Sequence, residues 1–143
     1  MKREYISPHR FLILMFFLYF KTGSDICGFI GNTNPELCLR WLQLGAYYPF
    51  SRSHNSDGSS DQDPGYFAEN GNPEVTKAAV EALRTRYQLL HYLYTSFYRS
   101  HVSGETLVRP MHHEFPQDTS AHSVDEQFFL GNSILVNPFL YEN

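Results

Sequence analysis

Positive charge is scarce in this chain. Lys and Arg total 11 against 15 Asp and Glu, a net charge of −4, so there is no basic field to neutralise a phosphate backbone, which argues against nucleic acid as a partner. Long apolar runs are missing as well: the longest, Phe11 to Phe20, has ten residues before Lys21 interrupts it, too few to cross a bilayer as a helix. Cysteine is limited to Cys27 and Cys38, with no CxxC, and the seven histidines are scattered, which argues against a zinc site. No Asn-x-Ser/Thr sequon occurs. What remains is 42% hydrophobic and 16% aromatic, with 12 Phe and 10 Tyr but one Trp. That is enough apolar surface to collapse, and it suits a large core or an aromatic-walled sugar cleft equally.

At 143 residues the chain has the length of one domain. Its first segment, basic Met1 to Arg10 followed by the apolar run and the small residues Thr22-Gly23-Ser24, has the shape of a secretory signal. It also has the shape of a parallel strand buried on both faces. The strand reading is preferred, because Asp25-Ile26-Cys27-Gly28-Phe29 follows directly, where a parallel strand delivers residues to the ligand-binding edge of a sheet. Ten residues separate Cys27 from Cys38, and the turn-like stretch between them permits a bridge or two buried thiols.

Asn34-Pro35-Glu36 predicts a helix start, with a cap, a proline at the first position and an acid in the first turn. Leu37, Trp41 and Leu44 stand at helical spacing, and Gly45 is placed to end that helix. The Ser, Asp, Gly and Asn-rich stretch from Ser56 to Asn72 predicts a surface loop, in which Asp61-Gln62-Asp63-Pro64 makes a turn over the site rather than a metal loop. Asn72-Pro73-Glu74 repeats the helix-opening device. The helix it starts reaches about Ser100, with Gly104 as the stop, a length that predicts a bend or break. Its stripe Leu83, Tyr87, Leu90 and Tyr94 reads as core. Beyond Glu105 the pattern turns to strands at Thr106–Arg109, Gln127–Leu130 and Ser133–Val136, with a hairpin signal at Gly131-Asn132.

Two strand ends carry candidate chemistry. Asp25 lies at the first, and Arg52-Ser53-His54-Asn55 follows the next short apolar stretch; in an extended segment Arg52 and His54 point to the same side. An acid, a cation, an imidazole and aromatic walls are what a sugar site uses, with charged donors and acceptors for the hydroxyls and ring faces for the apolar faces of the sugar.

The strings GSDICGF, ELCLRWLQLGAYYPFSRSHN, DQDP, RYQLLHYLYTSFYRSHVSGETLVRP, HEFP and QFFLGNSILVNPFL resemble the α-glucosidases of glycoside hydrolase family 31, in particular the lysosomal acid α-glucosidase, maltase-glucoamylase and sucrase-isomaltase type. The resemblance covers roughly residues 22 to 141. It implies an α/β fold: the last part of a (β/α)8 TIM barrel, strands 7 and 8 with their helices, over residues 1–104, then the beginning of a β-sandwich domain over 105–143. The implied function is retaining hydrolysis of terminal α-linked glucose, with an α-glucoside oligosaccharide as substrate. Asp25, Phe29, Arg52 and His54 match substrate-binding positions, His54 toward sugar hydroxyls and Arg52 toward the neighbouring acidic network. Cys27 and Cys38 match a disulfide-bonded pair, and the resemblance implies the secretory pathway: lysosomal, secreted or at the cell surface. The family needs no cofactor, and no metal is expected.

Retaining glycosidases use two carboxylates about 5 to 5.5 Å apart. In the family these stand in WIDMNE-like and GDN-like strings, and neither occurs here. The resemblance therefore assigns no catalytic residue to this chain, and a fragment that lacks the remainder of the barrel is expected to be inactive by itself. The alternative is a secreted, non-catalytic carbohydrate-binding pseudoenzyme fragment. Three positions depart from the family pattern. Lys21 and the apolar run precede the first motif, and His91 stands for a usual Pro, predicting a straighter helix. His122 stands for a usual Trp, removing an apolar anchor. The pair His112-His113 is read as one buried and one exposed imidazole on alternate strand faces.

Overall fold

A computed structural model describes residues 23–140. The apolar run Phe11 to Phe20, and with it the choice between signal and strand, lies outside the described residues. Gly23–Tyr92 forms one compact unit, and the described residues from Leu93 onward belong to a second.

In the first unit, α1 (Pro35–Gly45) starts as its sequence dictates: the Asn34 side chain accepts from the Leu37 N–H, Pro35 occupies the first turn and Glu36 stands beside the helix N-terminus. Glu36 also pairs with Arg40 one turn later at 2.6 Å. Gly45 lies inside the last turn rather than beyond it. Its role is close approach, since a Cβ there would run into the Ile26 side chain.

The predicted loop 56–72 contains a helix, α2 (Pro64–Glu69). Asp63 caps it by accepting from the Gly65 N–H at 2.7 Å, so a composition that reads as loop holds its own cap-and-proline start. Helix α3 (Pro73–Gln88) follows. Here Asn72 sits at the cap position without a capping bond; its side-chain amide donates to the Asn70 carbonyl instead.

Leu89 interrupts the long helix before α4 (Leu90–Ser103) begins, with the Leu89 N–H shared between the Thr85 and Arg86 carbonyls. The break occurs without a proline, so His91 does not straighten the helix. Both α1 and α2 pack on α3, and the residues α3 buries are Val75 and Ala79, small enough to let helices approach closely. The Leu and Tyr stripe is not core. Leu83, Tyr87, Leu90 and Tyr94 are all exposed, Tyr94 by 79%. The unit buries Ile26, Cys27, Cys38, Leu42, Ala46, Tyr48 and Phe67.

In the second unit Gly104, at φ 73°, ends α4 in the left-handed region that favours glycine. The buried Ser100 hydroxyl donates to the Glu105 carbonyl at 2.6 Å. Three short strands, β1 (Val108–Pro110), β2 (Phe128–Leu130) and β3 (Ile134–Val136), form an antiparallel sheet in the order β1-β2-β3. Leu130 pairs with Ile134 across the Gly131-Asn132-Ser133 turn, as the hairpin signal predicts. Val108, Pro110, Phe128, Leu130 and Val136 lie on its buried face, and Leu107 and Ala121, the latter in a 3-10 turn at Thr119–Ser123, are buried as well.

His112 and His113 are not on a strand. They lie in a one-turn helix, α5 (Met111–Glu114), and both are exposed. The rule of alternating faces therefore does not apply, and the one-buried, one-exposed expectation is wrong. His122 is exposed on the 3-10 turn, its ring set edge-on to His112 at 6.5 Å.

Candidate functional site: two chain segments in parallel

Residues 23–26 run alongside residues 50–53. The Ile26 N–H donates to the Arg52 carbonyl at 2.9 Å, and Ile26 and Ser53 form an isolated parallel bridge. Gly23 approaches the Phe50 carbonyl so closely that a Cβ there would clash with it. Ile26–Ser53, Gly23–Phe50 and Asp25–Arg52 share an offset of 27 positions, the mark of a single parallel register. With side chains alternating along each segment, Ile26 turns into the core while Asp25 and Arg52 share the other side.

There Arg52 donates through Nε to Asp25 Oδ1 at 2.7 Å. The Asp25 side chain is 20% exposed and that of Arg52 49%, so the pair sits at the surface with the acid as its more enclosed member. The Arg52 guanidinium also lies 5.4 Å from the Phe50 ring centroid, a cation–π contact that fixes its plane.

The chain turns sharply after Asp25, where the Gly28 N–H returns to the Asp25 carbonyl at 3.0 Å. Cys27 has φ 73°, the positive-φ non-glycine position among the described residues, and Gly28 follows at φ 93°. Left-handed backbone costs an L-residue roughly 1–2 kcal/mol. The Cys27–Cys38 disulfide ties this bend to α1, with the Cα atoms 4.5 Å apart, so the bridge implied by the resemblance is present. Beyond the bend Phe29, 44% exposed, sets its ring 5.4 Å from that of His54 at 33°.

The four residues expected at the site thus meet as two pairs, Asp25 with Arg52 and Phe29 with His54. Reading the sequence alone missed what holds them: Gln62, Asn32 and Phe50. Gln62 is buried and donates to the Gly28 carbonyl at 2.9 Å. Asn32 Oδ1 accepts from the Ser60 N–H at 2.8 Å, and the Phe29 carbonyl accepts from the Ser56 N–H at 2.9 Å. The segment around Asp61-Gln62 therefore does lie against the Asp25–Phe29 bend. No group of three or more metal-ligating side chains occurs among the described residues.

Below the edge, Arg86 of α3 donates to the Ala46 and Tyr48 carbonyls at 2.8 and 2.6 Å, and to Pro49 at 3.4 Å. Its partial burial holds the guanidinium below its ordinary pKa. Burial pushes the Tyr48 phenol up, against smaller opposing effects of hydrogen bonds with Ser24 and Trp41.

Residues 5–96 match the glycosyl hydrolases family 31 TIM-barrel domain, and residues 104–143 match the family 31 C-terminal domain. The chain belongs to glycosyl hydrolase family 31. Human intestinal sucrase-isomaltase is 51% identical over 118 residues, which are 82% of this chain and 6% of that protein. Bovine lysosomal alpha-glucosidase is likewise 51% identical over 82% of this chain and 12% of its own length. Among solved structures, the glucosidase II alpha subunit in its Glc1Man2-bound form superposes with a TM-score of 0.75 at 36% identity, covering 85% of this chain and 13% of that one. The cycloalternan-forming enzyme of Listeria monocytogenes, in complex with a pentasaccharide substrate, gives 0.77 at 29% identity, over 82% of this chain and 12% of that one. This family 31 chain thus spans between 6% and 13% of the length of these relatives.

Proposed function

We propose that this family 31 chain supplies the glucose-holding edge of a retaining α-glucosidase, with residues 1–104 contributing barrel strands 7 and 8 and residues 105–143 opening the C-terminal β-domain. The observation that carries the reading is the parallel register that joins Asp25 to Arg52 at 2.7 Å and leaves Phe29 and His54 as a ring pair beside them.

A pyranose presents hydroxyls around its rim and C–H groups on its faces. Asp25 Oδ2 accepts from a hydroxyl while Oδ1 is engaged by Arg52; the remaining guanidinium N–H groups and the His54 ring nitrogens bond further hydroxyls. The exposed Phe29 ring offers an apolar face. Sucrase-isomaltase and lysosomal alpha-glucosidase, the relatives at 51% identity, make an α-glucoside the favoured ligand class. The Cys27–Cys38 disulfide fits folding in the secretory pathway.

Retention requires a nucleophilic carboxylate and a proton donor about 5 to 5.5 Å apart. Asp25 is committed to Arg52, and no string in these 143 residues resembles the motifs that carry that pair. The chain by itself therefore binds without turning over. The test is titration of the 143-residue chain with maltose, alongside incubation with a chromogenic α-glucoside. Saturable maltose binding that His54→Ala weakens, with no hydrolysis, is expected. Absence of binding refutes the glucose-holding role, and hydrolysis abolished by Asp25→Asn would show that Asp25 is itself catalytic.

A further inference from the structure

We infer that Gln62 is a positioning residue: its side-chain amide fixes the Gly28–Phe29 peptide and, through it, the place of the Phe29 ring against His54. This rests on the reading of Phe29 and His54 as part of the glucose-holding edge.

Gln62 is only 4% exposed, although it stands in a polar stretch between two aspartates. Its Nε2 donates to the Gly28 carbonyl at 2.9 Å, while Oε1 makes no hydrogen bond among the described residues. Burying a primary amide with its acceptor unmet is unfavourable, so stability alone gives a poor reason for glutamine here. The donor has a specific task.

Cys27 and Gly28 are consecutive left-handed residues, at φ 73° and 93°, and a bend of that kind turns its carbonyls away from any regular ladder. Three carbonyls around the bend find separate anchors: that of Asp25 takes the Gly28 N–H, that of Gly28 takes Gln62, and that of Phe29 takes the Ser56 N–H. The disulfide fixes Cys27, but it reaches no further along the chain. Glycine at position 28 is free to rotate the next peptide, so the bond from Gln62 is the restraint closest to Phe29 on its N-terminal side. Asn32, accepting from the Ser60 N–H at 2.8 Å, holds the Gln62-bearing segment against the same loop from its other end.

Gln62→Met keeps the volume and removes the donor. In the 143-residue chain it is expected to abolish the nuclear Overhauser contacts between the Phe29 and His54 rings and to weaken maltose binding about 5- to 10-fold, the value of one hydrogen bond. The thermal midpoint should stay near that of the unsubstituted chain, because the lost bond to the Gly28 carbonyl is offset by removal of the unmet Oε1; a merely structural role would lower it. Asn32→Ala, at an exposed position, is expected to weaken the same ring contacts in part, and it serves if Gln62→Met does not fold. Ring contacts that persist in both variants overturn the proposal. If the unsubstituted chain does not bind maltose, the glucose-holding reading fails, and the ring contacts still decide whether Gln62 positions Phe29.

Discussion

Arg52 reaches Asp25 through its Nε, at 2.7 Å, across 27 positions of sequence. The bond closes the parallel register set by Ile26 and Ser53, and it leaves the terminal guanidinium nitrogens and one carboxylate oxygen for a ligand. The Arg52 side chain is 49% exposed, so the pair contributes little to folding: exposed ion pairs are worth about 0–1 kcal/mol. Its value lies in geometry. Arg52→Lys keeps the charge and loses the planar fork; it should lower maltose affinity about 3- to 10-fold while the unfolding free energy moves by less than about 1 kcal/mol. Equal affinity for maltose in both chains would remove Arg52 from the site.

The disulfide and the bend it holds can be separated by experiment. Replacing Cys27 and Cys38 by serine should cost about 2–3 kcal/mol in urea unfolding, as loss of a short-loop bridge does. Cys27 lies at φ 73°, where glycine is unstrained, so Cys27→Gly with Cys38→Ser should recover about 1 kcal/mol of that loss. A glycine variant less stable than the serine variant would show that the left-handed conformation is not maintained.

Arg86 braces the segment that leads into Phe50 and Arg52, with donations to Ala46 and Tyr48 at 2.8 and 2.6 Å. Arg86→Met strands those carbonyls and should destabilise the chain by about 2–4 kcal/mol, whereas Arg86→Lys, able to reach fewer of them, should cost about half as much. Denaturant titration of the three chains decides; Lys and Met variants equally stable and both below the unsubstituted chain would show that a charge without the guanidinium fork contributes nothing there.

Tyr48 gives the chain a limit in alkali. Burial raises its pKa above the ordinary phenol value of 10.0, so the folded state holds the phenolic proton more tightly than the unfolded state does. The resulting stability is fully present below about pH 10 and is lost as the pH rises through the folded pKa. Tyr48→Phe should flatten the fall in unfolding free energy above about pH 10. A curve of unchanged slope would mean that Tyr48 titrates as it does in the unfolded chain.

Local rules made much of the scaffold legible. Asn34-Pro35-Glu36 starts a helix where it should, Gly104 stops one, and Gly131-Asn132 turns a hairpin; each needs only neighbours a few positions away. The motif strings placed Asp25, Phe29, Arg52 and His54 in one neighbourhood, and the two pairs they form are there. Long-range facts stayed hidden. The stripe from Leu83 to Tyr94 has helical period, but period cannot say which sector is covered, and α3 buries the adjoining Val75 and Ala79 instead. Gln62 looked like any loop residue, since nothing nearby in sequence announces that its amide meets a carbonyl 34 positions earlier. Gly45 has the local look of a stop because the side chain it makes room for, Ile26, is remote along the chain.

The alternation of side chains at the Ile26–Ser53 rung makes the edge behave like a two-position dial. Shifting one segment by a single residue would carry Arg52 and His54 to the back together and bring Ser51 and Ser53 forward. Asp25 would then face hydroxyls in place of a guanidinium, and Phe29 would lose its imidazole neighbour. Composition, length and every helix could survive that error unchanged. Because Gly23 meets Phe50 with no room for a Cβ, the slipped setting would press a different residue into that gap, so a missing side chain at position 23 is what makes the second position of the dial inaccessible.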